Sequence, residues 1–344
     1  MPQAAHEQQS RDYVVVGGID CGTNSIRLKV AKVFADGHYE DVVPRVLRVV
    51  RLGEGVDRTH RFAEDALERT YAAVREFAEI LREHPVEALR FVATSATRDA
   101  ENREEFEDTV ESILGVRPEV ISGTEEAELS FLAASDAIVH MPQLHAEPPF
   151  LVVDLGGGST ELVLGGDGVT QPATQVVAAY SMNVGCVRMT ERHLHHDPAT
   201  AEELQELRED VDDHIRKAEE TVPLGKTRTI IGVSGTVTTM TALAMGLDHY
   251  DHTAVNGVRM DYKTMLATDA KFASMPRAER ATYKTIHPGR VDVINGGAAT
   301  WSCVLERVAE RAFEDHGQHM DSYVTSEHGL LDGVVLDLGQ RLLK

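Results

Sequence analysis

Two short stretches of the 344-residue sequence carry the same residues at the same spacing. Asp20-x-Gly22-x-x-Ser25-x-x-Leu28 recurs as Asp154-x-Gly156-x-x-Ser159-x-x-Leu162, displaced by 134 residues at every matched position. Each follows an apolar run with strand character, at 13–16 and at 150–153. Glycine in such a turn lets backbone N–H groups converge on one point, and a nest of this kind binds phosphate. A carboxylate beside it repels phosphate, so the pairing makes chemical sense when a divalent cation stands between them. A hairpin turn accounts for one such loop equally well. Two matching loops facing each other read instead as a clamp.

The candidate contacts follow from these loops. Gly22, Thr23, Asn24 and Ser25 form the first nest, and Gly156, Gly157, Gly158, Ser159 and Thr160 form the second. Asp154 and Glu161 flank the second loop, so both carboxylates can approach one cation, and hard oxygen donors suit Mg²⁺. Asp20 is a further candidate ligand. A third glycine segment, with Ser234, Gly235 and Thr236, follows a strand and enters a helix, which would set phosphate at a helix N-terminus. A fourth, at 295–300, opens another helix. Arg27 points either into the first loop or outward from its strand, and its spacing does not decide. Arg45, Arg48 and Arg51 recur every third residue and cannot all share one strand face. His193, His195 and His196 are read as solvated surface beside Asp197-Pro198, and Cys21 as small filler.

The elements that must position these groups are legible in part. Strands are expected at 13–16, 26–33 and 42–52, a meander rather than a βαβ start. A helix is expected over 61–83, a strand over 89–93, a polar loop over 94–98, and a helix closing at Gly115. Ser122-x-x-Glu125 fits a capping box, with Glu125 reaching back to the helix start. Glu126 lies about 100° further round that helix and is free to face elsewhere. Prolines 142, 148 and 149 mark a linker, after which the strand–glycine loop–strand plan restarts at 150. Further helices are expected at 199–221, 236–246, 298–315 and 327–342.

In order along the chain, GIDCGTNSIRL (18–28), ATSATRDAENREEF (93–106), VISGTEEAELSFLA (120–133), VVDLGGGSTELVLG (152–165), GVSGT (232–236) and SEHGLLDGVV (326–335) resemble the exopolyphosphatase/guanosine pentaphosphate phosphatase (Ppx/GppA) family. The resemblance runs from about 13 to 340. It implies an α/β fold of two ribonuclease-H-like (actin-like ATPase) domains, each a mixed five-stranded sheet flanked by helices, with the active site in the cleft between them. The corresponding division is a disordered tail at 1–12, a first domain at 13–138 with a returning helix at 326–344, and a second domain at 139–325. The resemblance assigns Glu126 as the base that activates water, Asp154 and Glu161 to metal and water positioning, and Arg98 to phosphate contact. It implies Mg²⁺ as cofactor, with K⁺ as a candidate activator, and a homodimer. The expected activity is removal of the terminal phosphate from polyphosphate, short chains favoured. Hydrolysis of guanosine pentaphosphate is the alternative. A kinase of the same superfamily and a non-enzymatic alarmone or polyphosphate sensor rank below both.

Charge bounds the partners. With 34 Lys+Arg against 56 Asp+Glu the net charge is −22, which argues against nonspecific nucleic-acid binding and against an anionic membrane surface. The excess is uneven: residues 1–100 hold 14 basic and 16 acidic side chains. That half of a cleft is the less repulsive to a polyanion. Three cysteines far apart in sequence, and no apolar run near the ~20 residues that span a bilayer, lead to the expectation of a reducing cytoplasm.

Overall fold

The computed structural model describes residues 12–344. The expected tail therefore lies, apart from Asp12, outside the described residues. Eleven strands follow in chain order: β1 (Tyr13–Cys21), β2 (Ser25–Phe34), β3 (Tyr39–Val49), β4 (Ala88–Ala93), β5 (Glu119–Val120), β6 (Phe150–Leu155), β7 (Thr160–Gly165), β8 (Val176–Met182), β9 (Thr229–Val233), β10 (Arg259–Asp261) and β11 (Ser322–Thr325). They form two sheets, β3-β2-β1-β4-β5 and β10-β11-β9-β6-β7-β8. Read from β8, the second sheet repeats the order of the first and adds β10 at its far edge. The two sheets thus have five and six strands, where five each were expected; β10 is only three residues long and pairs antiparallel with β11.

The repeat extends to strand direction. β1–β2 and β6–β7 are antiparallel hairpins, while β1–β4 and β6–β9 are parallel. The loop aspartates therefore sit at equivalent places, at the carboxyl end of the central strand of each sheet. Both central strands are apolar and buried almost throughout, as expected for strands covered on both faces.

Several elements were legible only in part. The third strand runs 39–49 rather than 42–52. Residues 94–98 are not a loop: Ser95–Asp99 is a short helix. The helix expected over 61–83 begins at Glu64, after a separate turn of helix at Val56–Thr59. Gly115 does close its helix, at φ 72°.

The helix Gly123–Val139 starts as its sequence dictates. Ser122 Oγ accepts from Glu125 N at 3.2 Å, satisfying one orphan N–H of the first turn. The reciprocal half of the capping box is not made. Glu125 instead takes an ion pair from Arg90 Nη2 at 2.5 Å, and buried Arg90 also reaches Glu119 and Asp337. Ala127, Phe131, Ala134 and Ile138 form the buried stripe of this helix against Phe150, Val152 and Val163. Fully burying Phe131 and Ile138 contributes about 1.5–3 kcal/mol each. That packing turns Glu126 toward the space between the sheets. The last helix, Leu330–Leu343, returns across the first sheet, where a Cβ on Gly339 would stand 2.4 Å from Val33 Cβ, and packs as closely on the helix Gly123–Val139, where one on Gly333 would stand 2.0 Å from the Leu129 carbonyl oxygen.

Candidate active site

The two glycine loops meet. A Cβ on Gly157 would lie 2.9 Å from Thr23 Cβ, and one on Gly158 only 2.6 Å from Thr23 Oγ1 and 2.7 Å from Ser95 Oγ. Glycine is needed here for close approach between the halves, beyond any nest geometry. Their junction is held from outside by Arg188, which donates to the Gly158 carbonyl at 2.7 Å and pairs with Asp99 at 2.5 Å and with Asp57.

A small pocket of about 60 Å³ lies where the loops converge. Most of the residues singled out from sequence line it: Asp20, Gly22 to Ser25, Arg27, Glu126, Asp154, Gly156 to Ser159, and Ser234 to Thr236. Three do not. Thr160 turns its hydroxyl to the Val184 carbonyl at 2.7 Å. Glu161, beside Glu126 and Asp154, accepts from Ser181 Oγ at 2.7 Å. Arg98 reaches Glu126 Oε2 at 2.8 Å and the Ile121 carbonyl at 3.0 Å.

The hairpin register places the charges. Asp20 stands directly opposite Arg27, and Asp154 directly opposite Glu161. Arg27 therefore points inward, 3.3 Å from Asp20 Oδ2. Asp154 is held by Ser130 Oγ at 2.5 Å. Ser234 sits in the left-handed region, φ 77°, where β9 turns into the helix Ser234–Ala244. Such a conformation is rare for a residue with a Cβ and marks a backbone shaped by its surroundings.

Asp20, Glu126, Asp154 and Glu161 are only 4%, 7%, 6% and 1% exposed, and four buried carboxylates in one place are costly when charged. Burial pushes Asp20 up to about 6; Arg27 opposes the shift and Asp154 adds to it. Burial raises Glu126 to about 7, against the pull of Arg98 and with the charges of Asp154 and Asp20 adding. Glu161 is held well above the usual carboxyl range by burial, then by Glu126 and Asp154. Such a set favours arrival of a cation. Among the described residues no three of His, Cys, Asp and Glu form a closed metal cage. Mg²⁺ does not need one, because it binds through one or two carboxylates, waters and substrate oxygens. The donor set therefore fits it.

Sequence reasoning missed several contributors. Ser95, Cys186 and Arg290 line the pocket, and Ser130 orients Asp154. They come from helices far apart in the chain, and none belongs to a loop repeat that would mark it. Cys21 is buried, its thiol pushed up by burial and then by Asp20, which fits filler rather than a nucleophile. The fourth glycine segment serves packing: a Cβ on Gly296 would meet Thr190 Oγ1 at 2.2 Å. His193 is not free surface but pairs with Asp210 at 2.8 Å, while His196, mostly exposed, pairs with Glu203.

The duplicated α/β sheets carry a carboxylate-lined pocket where their glycine loops meet, and the family and relatives that match the chain make this the frame of a phosphoanhydride hydrolase. The profile of the Ppx/GppA phosphatase family matches residues 30–338, and the chain belongs to that family. It is 45% identical to Exopolyphosphatase 2 of Mycobacterium tuberculosis over 331 residues, covering 94% of this chain and 98% of that one. Among solved structures, an exopolyphosphatase-like protein is 65% identical with a TM-score of 0.94, covering 97% of this chain and all of the other. The PPX-GPPA enzyme of Aquifex aeolicus is 31% identical with a TM-score of 0.73, covering 94% and 99%.

Proposed function

We propose that the chain is a Mg²⁺-dependent exopolyphosphatase that releases the terminal phosphate of polyphosphate. The observation that carries this reading is Glu126: a buried carboxylate, raised to about 7, held by Arg98 and lining the same pocket as both glycine loops. A base with that affinity takes a proton from water near neutral pH. The terminal phosphoryl group sits between the two nests. Glu126 orients the attacking water and accepts its proton. Backbone N–H groups of the loops, with Arg27, take up charge on the phosphate oxygens as the bridging P–O bond breaks. The products are orthophosphate and a chain one unit shorter. Asp154 and Asp20, which line the pocket, would hold the Mg²⁺, and Glu161, across the hairpin from Asp154, would orient its waters. When bound, it neutralises charge on the transferring group.

The alternative substrate, guanosine pentaphosphate, would use the same nests, and phosphate release from the two compounds side by side separates the readings. The three free thiols, all buried, support a reducing cytoplasm; among the described residues no helix is long and apolar enough to cross a membrane. A homodimer rests on the family resemblance. The test of the reaction is Glu126→Gln. Phosphate release is expected to fall about 10²–10⁴-fold, with folding unchanged by circular dichroism. Full activity in that variant would overturn the assignment.

A further inference from the structure

The helix Gly123–Val139 brings more to the pocket than Glu126. Ser130 lies four residues further on, hence on the same face one turn along. It is fully buried, and its hydroxyl donates to Asp154 Oδ2 at 2.5 Å. Among the described residues it is the one hydrogen-bond donor to the Asp154 side chain. The start of the last helix roofs the contact: a Cβ on Gly329 would stand 3.7 Å from Ser130 Oγ. One helix therefore meets the site twice, once with the proposed base and once with a donor to the proposed metal ligand.

That hydroxyl has forgone a nearer partner. A hydroxyl within a helix commonly bonds the carbonyl four residues back. Thr70, Thr109, Thr190, Thr268 and Thr300 all do so here, at 2.7–2.8 Å. Ser130 does not turn back to Glu126 but reaches across to β6. A 2.5 Å contact between hydroxyl and carboxylate has the length of a charge-assisted hydrogen bond. It commits Oδ2 and leaves Oδ1 as the oxygen that Asp154 offers to the pocket it lines. A carboxylate giving one oxygen suits small, octahedral Mg²⁺. The larger Ca²⁺ takes roughly six to eight oxygens and readily uses both from one carboxylate.

We propose that Ser130 is a positioning residue that holds Asp154 to one-oxygen coordination and so makes the pocket select Mg²⁺ over Ca²⁺. The inference rests on the reading of the pocket as a Mg²⁺ site. Without the Ser130 hydroxyl, Asp154 is free to turn and present both oxygens, which favours Ca²⁺. The same turn of helix spaces Glu126 from Asp154. Base and cation are thus set against each other by one rigid element rather than by separate loops.

The test is binding of Mn²⁺ to the full chain without substrate, read from the paramagnetic resonance of the free ion, and its displacement by Mg²⁺ or by Ca²⁺. Binding lost in Asp154→Asn belongs to the pocket, and binding kept in that variant belongs to the acidic surface. Ser130→Ala is expected to weaken Mg²⁺ at the pocket about ten-fold and Ca²⁺ by less than about two-fold, so that the preference falls about five-fold or more. Ser130→Cys, a weaker donor, is expected to fall between, and it carries the test should the alanine variant not fold. Equal losses for both ions, no loss, or no Mn²⁺ binding removed by Asp154→Asn would overturn the proposal, since a purely structural role moves both ions alike. Phosphate release from polyphosphate with Mg²⁺ is measured in parallel. If the unaltered chain releases none while the ion preference shifts as expected, the role of Ser130 stands and the exopolyphosphatase reading falls. Normal release with an unshifted preference means the reverse.

Discussion

Arg27 and Glu161 occupy the same place in the two halves of the molecule, each directly across its hairpin from the loop aspartate. The first half sets a guanidinium against its aspartate, and the second sets a second carboxyl there. Duplication supplied the scaffold, and one change of sign made the halves unequal. On the proposed mechanism the cation is expected on the Asp154 side.

Metal affinity should follow that asymmetry. Glu161→Gln is expected to raise the Mg²⁺ concentration for half-maximal activity about ten-fold or more, and Asp20→Asn by less, because Arg27 already balances Asp20. Titration of Mg²⁺ against phosphate release decides it; a larger effect at Asp20 would refute the asymmetry.

On the proposed mechanism the Arg98–Glu126 pair sets the acid limb of the pH profile. The base acts when ionised, so activity falls as pH drops through a value near 7. Arg98 favours the charged carboxylate, and removing it raises the pKa further. In Arg98→Met the acid limb of kcat/KM should therefore move to higher pH. A shift to lower pH, or none, would show that Arg98 does not act through Glu126.

Arg188 clasps the loop junction from the second half, with only a tenth of its side chain exposed. Arg188→Ala leaves Asp99 without that partner and releases the Gly158 carbonyl. Urea unfolding should show a loss of about 2 kcal/mol, below the 3–5 of a fully buried pair. kcat/KM should fall about ten-fold as the nests lose alignment. Unchanged kinetics would mean that closure does not depend on the clasp.

Asp332 anchors the last helix to the first sheet through Lys29 Nζ at 2.6 Å and Tyr39 Oη at 2.7 Å. Burial opposes its ionisation, yet His328 and Lys29 outweigh that and hold it well below the usual carboxyl range. Its contribution is fully present above the unfolded value of about 4 and is lost as pH falls from there toward the depressed folded value. Asp332→Asn should lower stability by about 3 kcal/mol at pH 7, and the difference from the unaltered protein should shrink on acidification. A constant difference down to pH 3 would exclude the linkage.

Much of the site was readable because it is local. Each glycine loop lies within nine residues of sequence, and repetition 134 residues later marked both. Ser122 announced the helix that carries Glu126. The misreadings have physical causes. Glu125 fits a capping box by spacing, but a buried arginine from β4 offered it a charge instead. Residues 94–98 read as a loop from their polarity, yet Ser95, Ala96 and Thr97 are buried against neighbouring elements, and tertiary packing overrides weak propensity. His193 carried no sequence sign of its partner, since Asp210 comes from the following helix.

The sequence by itself determined the two glycine loops, the carboxylates beside them and the opening three-strand meander, because turn chemistry and alternation act over a few residues. Only the tertiary structure decided which groups face each other. Strand register turned Arg27 inward. The apolar stripe of the helix Gly123–Val139 swung Glu126 into the cleft. Chain segments more than a hundred residues apart brought Ser130 to the same site as Arg290 and set Arg188 behind the loops. Those contacts depend on where whole elements pack, and burial rather than local spacing sets that.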